Sequence, residues 1–102
     1  MKIVAVTACP TGIAHTYMAA EQLQKTAKAA GHSILVETQG AMGIEDELSK
    51  KDIADADVAI FAVDIEVEKR ERFDGKKTLQ VSVSEAIKNP KGVLSKAGVT
   101  VG

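Results

Sequence analysis

The chain has 102 residues, 45% of them apolar and 26% charged, enough for one globular domain with a modest core. Thirteen Lys and Arg stand against fourteen Asp and Glu, so no basic excess recommends a nucleic acid. A single Cys excludes an internal disulfide and an all-Cys zinc site. The longest apolar run, Val58 to Val63, is far too short to span a bilayer. Residues 1–6 carry one Lys and no cleavable signal pattern, which argues against export and for the reducing cytoplasm.

Ile3 to Val6 is an unbroken apolar run, the pattern of a strand covered on both faces. A helix is expected from near Thr16 to near Ala30, with Gly31 as its stop. Its narrow buried stripe is Ala20, Leu23, Ala27 and Ala30, with Glu21 and Lys25 paired on the outer face. Ser33 to Thr38 reads as a second strand and Gln39 to Gly43 as a glycine-punctuated loop. Ser49 with Asp52 forms a capping box for a short helix around residues 50–55. Val58 to Val63 is the clearest strand, closed by Asp64. Glu66 to Arg72 reads as a short charged helix, Asp74-Gly75 as a turn and Lys77 to Val83 as a fourth strand. Ser82 with Glu85 caps the next helix, which Asn89-Pro90 interrupts. Residues 98–102 read as a frayed end or the start of a linker, so that the chain is one domain over 1–102.

Strands alternating with helices imply right-handed crossovers and an α/β three-layer sandwich of the flavodoxin or Rossmann type. The expected sheet has four parallel strands in the order 2-1-3-4, with helices on both faces. Its switch point lies between strands one and three at their carboxyl ends, where the Cys9 loop and Asp64 both fall.

Cys9 therefore stands at the end of the first strand, before a loop that opens a helix. In mid-strand a lone Cys is usually a small buried hydrophobe. At this position the helix N-terminus and the loop N–H groups form an anion site with a thiol at its base. Such surroundings favour the thiolate, and the pairing suggests a phosphate carried on sulfur. Pro10 has no N–H, so the candidate cradle is Thr11, Gly12, Ile13, Ala14, His15 and Thr16. His15 is either an exposed first-turn residue or a support for the phosphate or thiolate. Thr16 suits an N-cap, and its hydroxyl has the further option of donating to sulfur. Asp64 is either a general acid or a loop anchor. The run Glu66 to Arg72 is a solvated face or a docking edge. No Walker-type loop, no Cys-x-x-Cys and no metal-ligand spacing is present, and no cofactor is expected.

The stretch Val6-Thr7-Ala8-Cys9-Pro10-Thr11-Gly12-Ile13-Ala14-His15-Thr16 closely resembles the active-site loop of the fructose-specific IIB domain of the bacterial phosphoenolpyruvate-dependent sugar phosphotransferase system (PTS). Val36 to Gly40, Asp52-Ile53 with Ala56-Asp57, and Arg72 to Lys76 resemble the same family. The IIB domains for mannitol and cellobiose-type sugars also place a Cys after the first strand, but in a different loop. The resemblance implies that Cys9 accepts a phosphoryl group from a phosphohistidine on a IIA domain. It also implies that Cys9 passes the group to a hexose, fructose by default, brought by the membrane-embedded IIC domain. The expected place of work is the cytoplasmic face of the membrane, with no insertion into it. One alternative is a low-molecular-weight phosphatase, but His15 stands where that family's loop has Arg, and no Asp-Pro pair is present. The other is a flavodoxin-like interaction module without catalysis, against which the intact Cys loop argues.

Overall fold

The structure is a computed structural model that describes residues 1–10, 13–40 and 43–101, with Ile13 described by its backbone alone. Two strands form its centre: β1, Lys2–Ala8, and β4, Val58–Val63, paired in parallel from Ile3 opposite Val58 to Ala8 opposite Val63. β2, Ser33–Gly40, flanks β1 in parallel, and β5, Thr78–Val81, flanks β4 in parallel. β3, Gly43–Glu45, pairs antiparallel with the last three residues of β2. The sheet thus has five strands in the order β3-β2-β1-β4-β5 and is mixed, not the four-stranded all-parallel sheet expected from the sequence. The difference is β3. Only its Gly43 falls in the segment read as a loop, and it is too short to show a period.

Strand alternation divides the core in two. Ile3, Ala5, Ile34, Val36, Ile60 and Ala62 face α1, Ile13–Ala29, with α3, Val83–Lys88, and α4, Pro90–Lys96. Val4, Val6, Ala59, Phe61 and Val63 face α2, Lys50–Asp55, and a short 3-10 helix, Arg70–Phe73. The second layer is thin, so aromatic contact fills it: Phe61 and Phe73 meet edge to face, centroids 4.9 Å apart.

α1 begins three residues earlier than the sequence suggests, so Thr16 is not its N-cap. Thr16 is buried, and its carbonyl accepts a hydrogen bond from Thr7 Oγ1 at 3.0 Å, fastening the first turn to β1. α1 ends as expected. Gly31 has a φ of 85°, the Gly31 N–H donates to Lys28 O, and the His32 N–H donates to Ala27 O. This is the two-bond left-handed stop that glycine favours. The same device ends α4 at Gly98, with Val99 N–H donating to Leu94 O, and it turns Val99 into the core. Within the tail, Val99 is buried and Val101 packs against the same cluster, while Gly98 and Thr100 are exposed. His32 bridges the chain ends: Nδ1 meets the Met1 amine at 3.0 Å and Nε2 meets Thr100 O at 2.7 Å. Ser49 and Asp52 form the capping box of α2, and Ser82 accepts from Glu85 N–H at the start of α3. Asn89 closes α3 and caps α4, with Pro90 in its first turn. The charged segment after Asp64 is helical only over Arg70–Phe73, because its backbone partners lie in β2.

Those partners centre on Glu37, which is fully buried on the thin-layer side of β2. Its carboxylate accepts from Arg72 through two nitrogens at 2.8 and 2.9 Å, from Leu48 N–H at 2.8 Å and from Gln39 Nε2 at 2.6 Å. Gln39 also accepts from Glu68 N–H at 2.8 Å and donates to Glu68 O at 3.1 Å. Arg72 reaches further to the carbonyls of Leu48, Glu68 and Lys69. Burial alone would push the Glu37 carboxyl up, but the Arg72, Leu48 and Gln39 donors outweigh it and hold the group below its ordinary value. The folded carboxyl therefore ionises at lower pH than the unfolded one. Its contribution to stability is present above the ordinary glutamate range and is lost as pH falls through the folded value. Arg72→Ala strands a buried carboxylate and should cost about 3–5 kcal/mol in urea unfolding near neutral pH. Glu37→Gln should flatten the loss of stability between about pH 6 and about pH 3. Equal acid slopes for Glu37→Gln and the parent chain would show that Glu37 does not carry the titration.

Candidate functional site

Cys9 follows β1 directly, on the face that carries α1 and α3, and is buried. It forms the floor of an open depression of about 360 Å³ at the carboxyl edge of the sheet. Asp64, one residue past β4, shares that floor. His15 and Met18 of α1 make one wall, and Ser84, Ile87 and Lys88 of α3 make the other. The sheet places these groups together because β1 and β4 are adjacent and end level with one another. A larger depression of about 540 Å³ lies between α1 and α4, lined by Gln22, Lys25, Lys91 and Val101 among others. It holds neither a Cys nor a His, whereas the thiol singled out from the sequence lies in the smaller one.

Of the residues singled out from the sequence, Cys9, His15 and Asp64 meet in one place. Ile13, Ala14 and His15 open α1, so their N–H groups belong to the first turn, where helical donors lack acceptors within the helix. Such donors suit an anion, and the dipole of a 17-residue helix adds to them. Thr16, fourth in the helix, is turned inward under Thr7. Thr11 and Gly12 lie outside the described residues, as do Ala41 and Met42 of the expected Gln39–Gly43 loop. Gln39 itself ends up inside the polar cluster around Glu37.

Asp64 has a structural assignment. Its N–H donates to Ala8 O at 3.0 Å, and its Oδ1 accepts from Val83 N–H at 3.3 Å. The residue thus fastens the end of β1 to the start of α3, which is an anchor's role. The α3 wall was not foreseen. The available signal was topological: a fourth parallel strand beside β4 must deliver the residues that follow it to the same edge as Cys9. Among the described residues no group of three His, Cys, Asp or Glu could hold a metal ion, and no helix is long and apolar enough to cross a membrane.

Residues 4–96 match the family described as "PTS system, Lactose/Cellobiose specific IIB subunit". The chain is 52% identical over 95 residues to the "PTS system fructose-like EIIB component 2" of Escherichia coli K12, covering 93% of this chain and 90% of that one. It is also 52% identical over 96 residues to a segment of the "PTS system fructose-specific EIIABC component" of Bacillus subtilis, 94% of this chain but 15% of that longer protein. Among solved structures, a domain of the fructose-specific IIABC component of Borrelia burgdorferi superposes with a TM-score of 0.91 at 46% identity, covering 99% of this chain and 97% of that one. A chain that carries the family's match over nearly its whole length, and half its residues in common with fructose-type relatives, belongs to the PTS IIB family and to its fructose-type branch.

Proposed function

We propose that the chain is a phosphocarrier in which Cys9 receives a phosphoryl group from a phosphohistidine of a IIA domain and delivers it to a hexose held by a IIC domain. The observation that carries this reading is the place of Cys9: at the floor of an open depression, beside the first turn of α1, in a member of the IIB family. In the first step the Cys9 sulfur attacks phosphorus in line. An S–P bond forms, the P–N bond breaks, and its electron pair returns to the imidazole ring. In the second step a sugar hydroxyl attacks, the S–P bond breaks, the pair returns to sulfur as thiolate, and the hydroxyl proton is released. The cradle is the stretch Thr11 to Thr16, whose N–H groups neutralise the equatorial oxygens. His15 supports the transfer from the wall of the depression.

A carrier must keep water from its phosphocysteine. The one carboxylate lining the depression, Asp64, is engaged with the α3 backbone through Oδ1, which supports an anchoring role over activation of water. Fructose is the first choice of sugar, because the relatives carry that name. The work takes place at the cytoplasmic face of the membrane, since relatives of this chain are fused to IIC domains.

Incubation with phosphoenolpyruvate, the general phosphotransfer proteins and a IIA domain should add one phosphoryl group to the intact mass. Cys9→Ser should abolish that gain; a gain that survives would place the phosphate elsewhere. His15→Ala should slow phosphorylation by about tenfold and still permit it, less than the roughly hundredfold cost of losing a main oxyanion donor. A stable phosphohistidine at position 15 in the Cys9→Ser chain would reverse that assignment. Donor and acceptor must reach one sulfur, so their footprints should overlap, each burying less than about 1,200 Å². Amide shifts on adding a IIA domain should centre on the Cys9 edge; shifts confined to the opposite edge of the sheet would overturn the carrier reading.

A further inference from the structure

The α3 wall of the Cys9 depression carries a charge that has no task so far. Ser84 and Lys88 stand four residues apart, so they share one face of α3, with Ile87 beside them. All three line the depression that contains Cys9 and His15. Among the described residues that line it, Lys88 is the only Lys or Arg. The acidic groups close to it along the chain and across the depression are occupied elsewhere. Glu85, one turn back on α3, pairs with Lys96 of α4 at 2.6 Å. Asp64 Oδ1 accepts from Val83 N–H. Among the described residues Lys88 forms no ion pair. It is therefore an exposed cation with no ion-pair partner among the described residues, on the wall that faces the first turn of α1 across the depression.

An incoming phosphoryl group brings two negative charges to a sulfur that is itself nucleophilic as the anion. N–H donors from α1 meet that charge from one side. The group is exposed on the other side, and there a mobile ammonium is the appropriate partner. We propose that Lys88, assisted by the Ser84 hydroxyl, contacts the equatorial oxygens of the transferred phosphoryl group and is a catalytic residue of both transfer steps. The identity of the anion rests on the phosphocarrier reading above. The action of the cation on anions approaching Cys9 does not.

Two measurements separate those statements. Cys9 of the intact chain is alkylated with iodoacetate, an anion, and with iodoacetamide, its neutral counterpart. In Lys88→Gln the ratio of the two rates should fall by about threefold to tenfold, because any change in the thiolate fraction slows both reagents alike and cancels in the ratio. Lys88→Arg should restore the ratio. Phosphorylation by a phosphorylated IIA domain should fall by about tenfold in Lys88→Gln, recover in Lys88→Arg, and depend less steeply on salt in the Gln variant. Ser84→Ala should show the same trend more weakly. If the alkylation ratio is unchanged and Lys88→Gln is phosphorylated at the parent rate, the proposal for Lys88 fails while the carrier reading stands. If the ratio falls as expected but the parent chain never accepts phosphate, the carrier reading fails and Lys88 remains an anion-directing group beside a reactive thiol.

Discussion

A carboxylate taken out of water within a β-strand must be answered by donors, and the carboxyl edge of this sheet is arranged around that demand. Glu37 receives four hydrogen bonds, two of them from one guanidinium. The donors come from three separate stretches of chain: β2 itself, the turn before α2, and the segment after β4. Arg72 and Gln39 then use their remaining N–H groups on backbone carbonyls of Leu48, Glu68 and Lys69. An apolar cluster of equal volume would be of similar stability, because buried ion pairs seldom exceed their desolvation cost. What the polar cluster adds is direction. Two irregular segments are held by bonds of fixed geometry next to the strands that carry the site.

The two faces of the sheet do different work. On the Glu37 side the covering layer is one short helix and one 3-10 turn, and aromatic and guanidinium planes close it. Arg70 lies over Phe61 and Arg72 over Phe73, at 5.1 and 5.2 Å from the ring centres. On the other side alanines dominate the contacts of α1 and α3 with the strands: Ala19, Ala20, Ala27 and Ala86 are all buried. Small side chains let both helices approach the sheet closely, so that the amino-terminal turns of α1 and the body of α3 converge over Cys9. One layer supplies rigidity and the other supplies access.

Much of this was legible in the sequence. Unbroken apolar runs gave away β1 and β4, and Ser49 with Asp52 and Ser82 with Glu85 marked two helix starts, because those signals act within four residues. The position of Cys9 at a strand end followed from the same local reading. β3 was not legible, since an exposed glycine followed by two half-buried residues carries no period. The start of α1 was misplaced because Thr16 has the chemistry of a cap but spends its surroundings on burial under Thr7. The Glu37–Arg72 pair spans 35 positions, and nothing local announces that a Glu in a strand and an Arg in a charged run are partners. The same holds for Lys88 and Cys9, which only the assembled fold brings to the lining of one depression.

The bridge that His32 makes between the Met1 amine and Thr100 O has a consequence for assembly. It gathers both ends of the described chain at the amino edge of the sheet, while Cys9 opens at the carboxyl edge, about the length of a strand away. Polypeptide attached before residue 1 or after residue 101 leaves from the back of the molecule. Such a tether lies clear of the edge at which Cys9 opens. A connection made at the amino edge therefore leaves the carboxyl edge of the sheet uncovered.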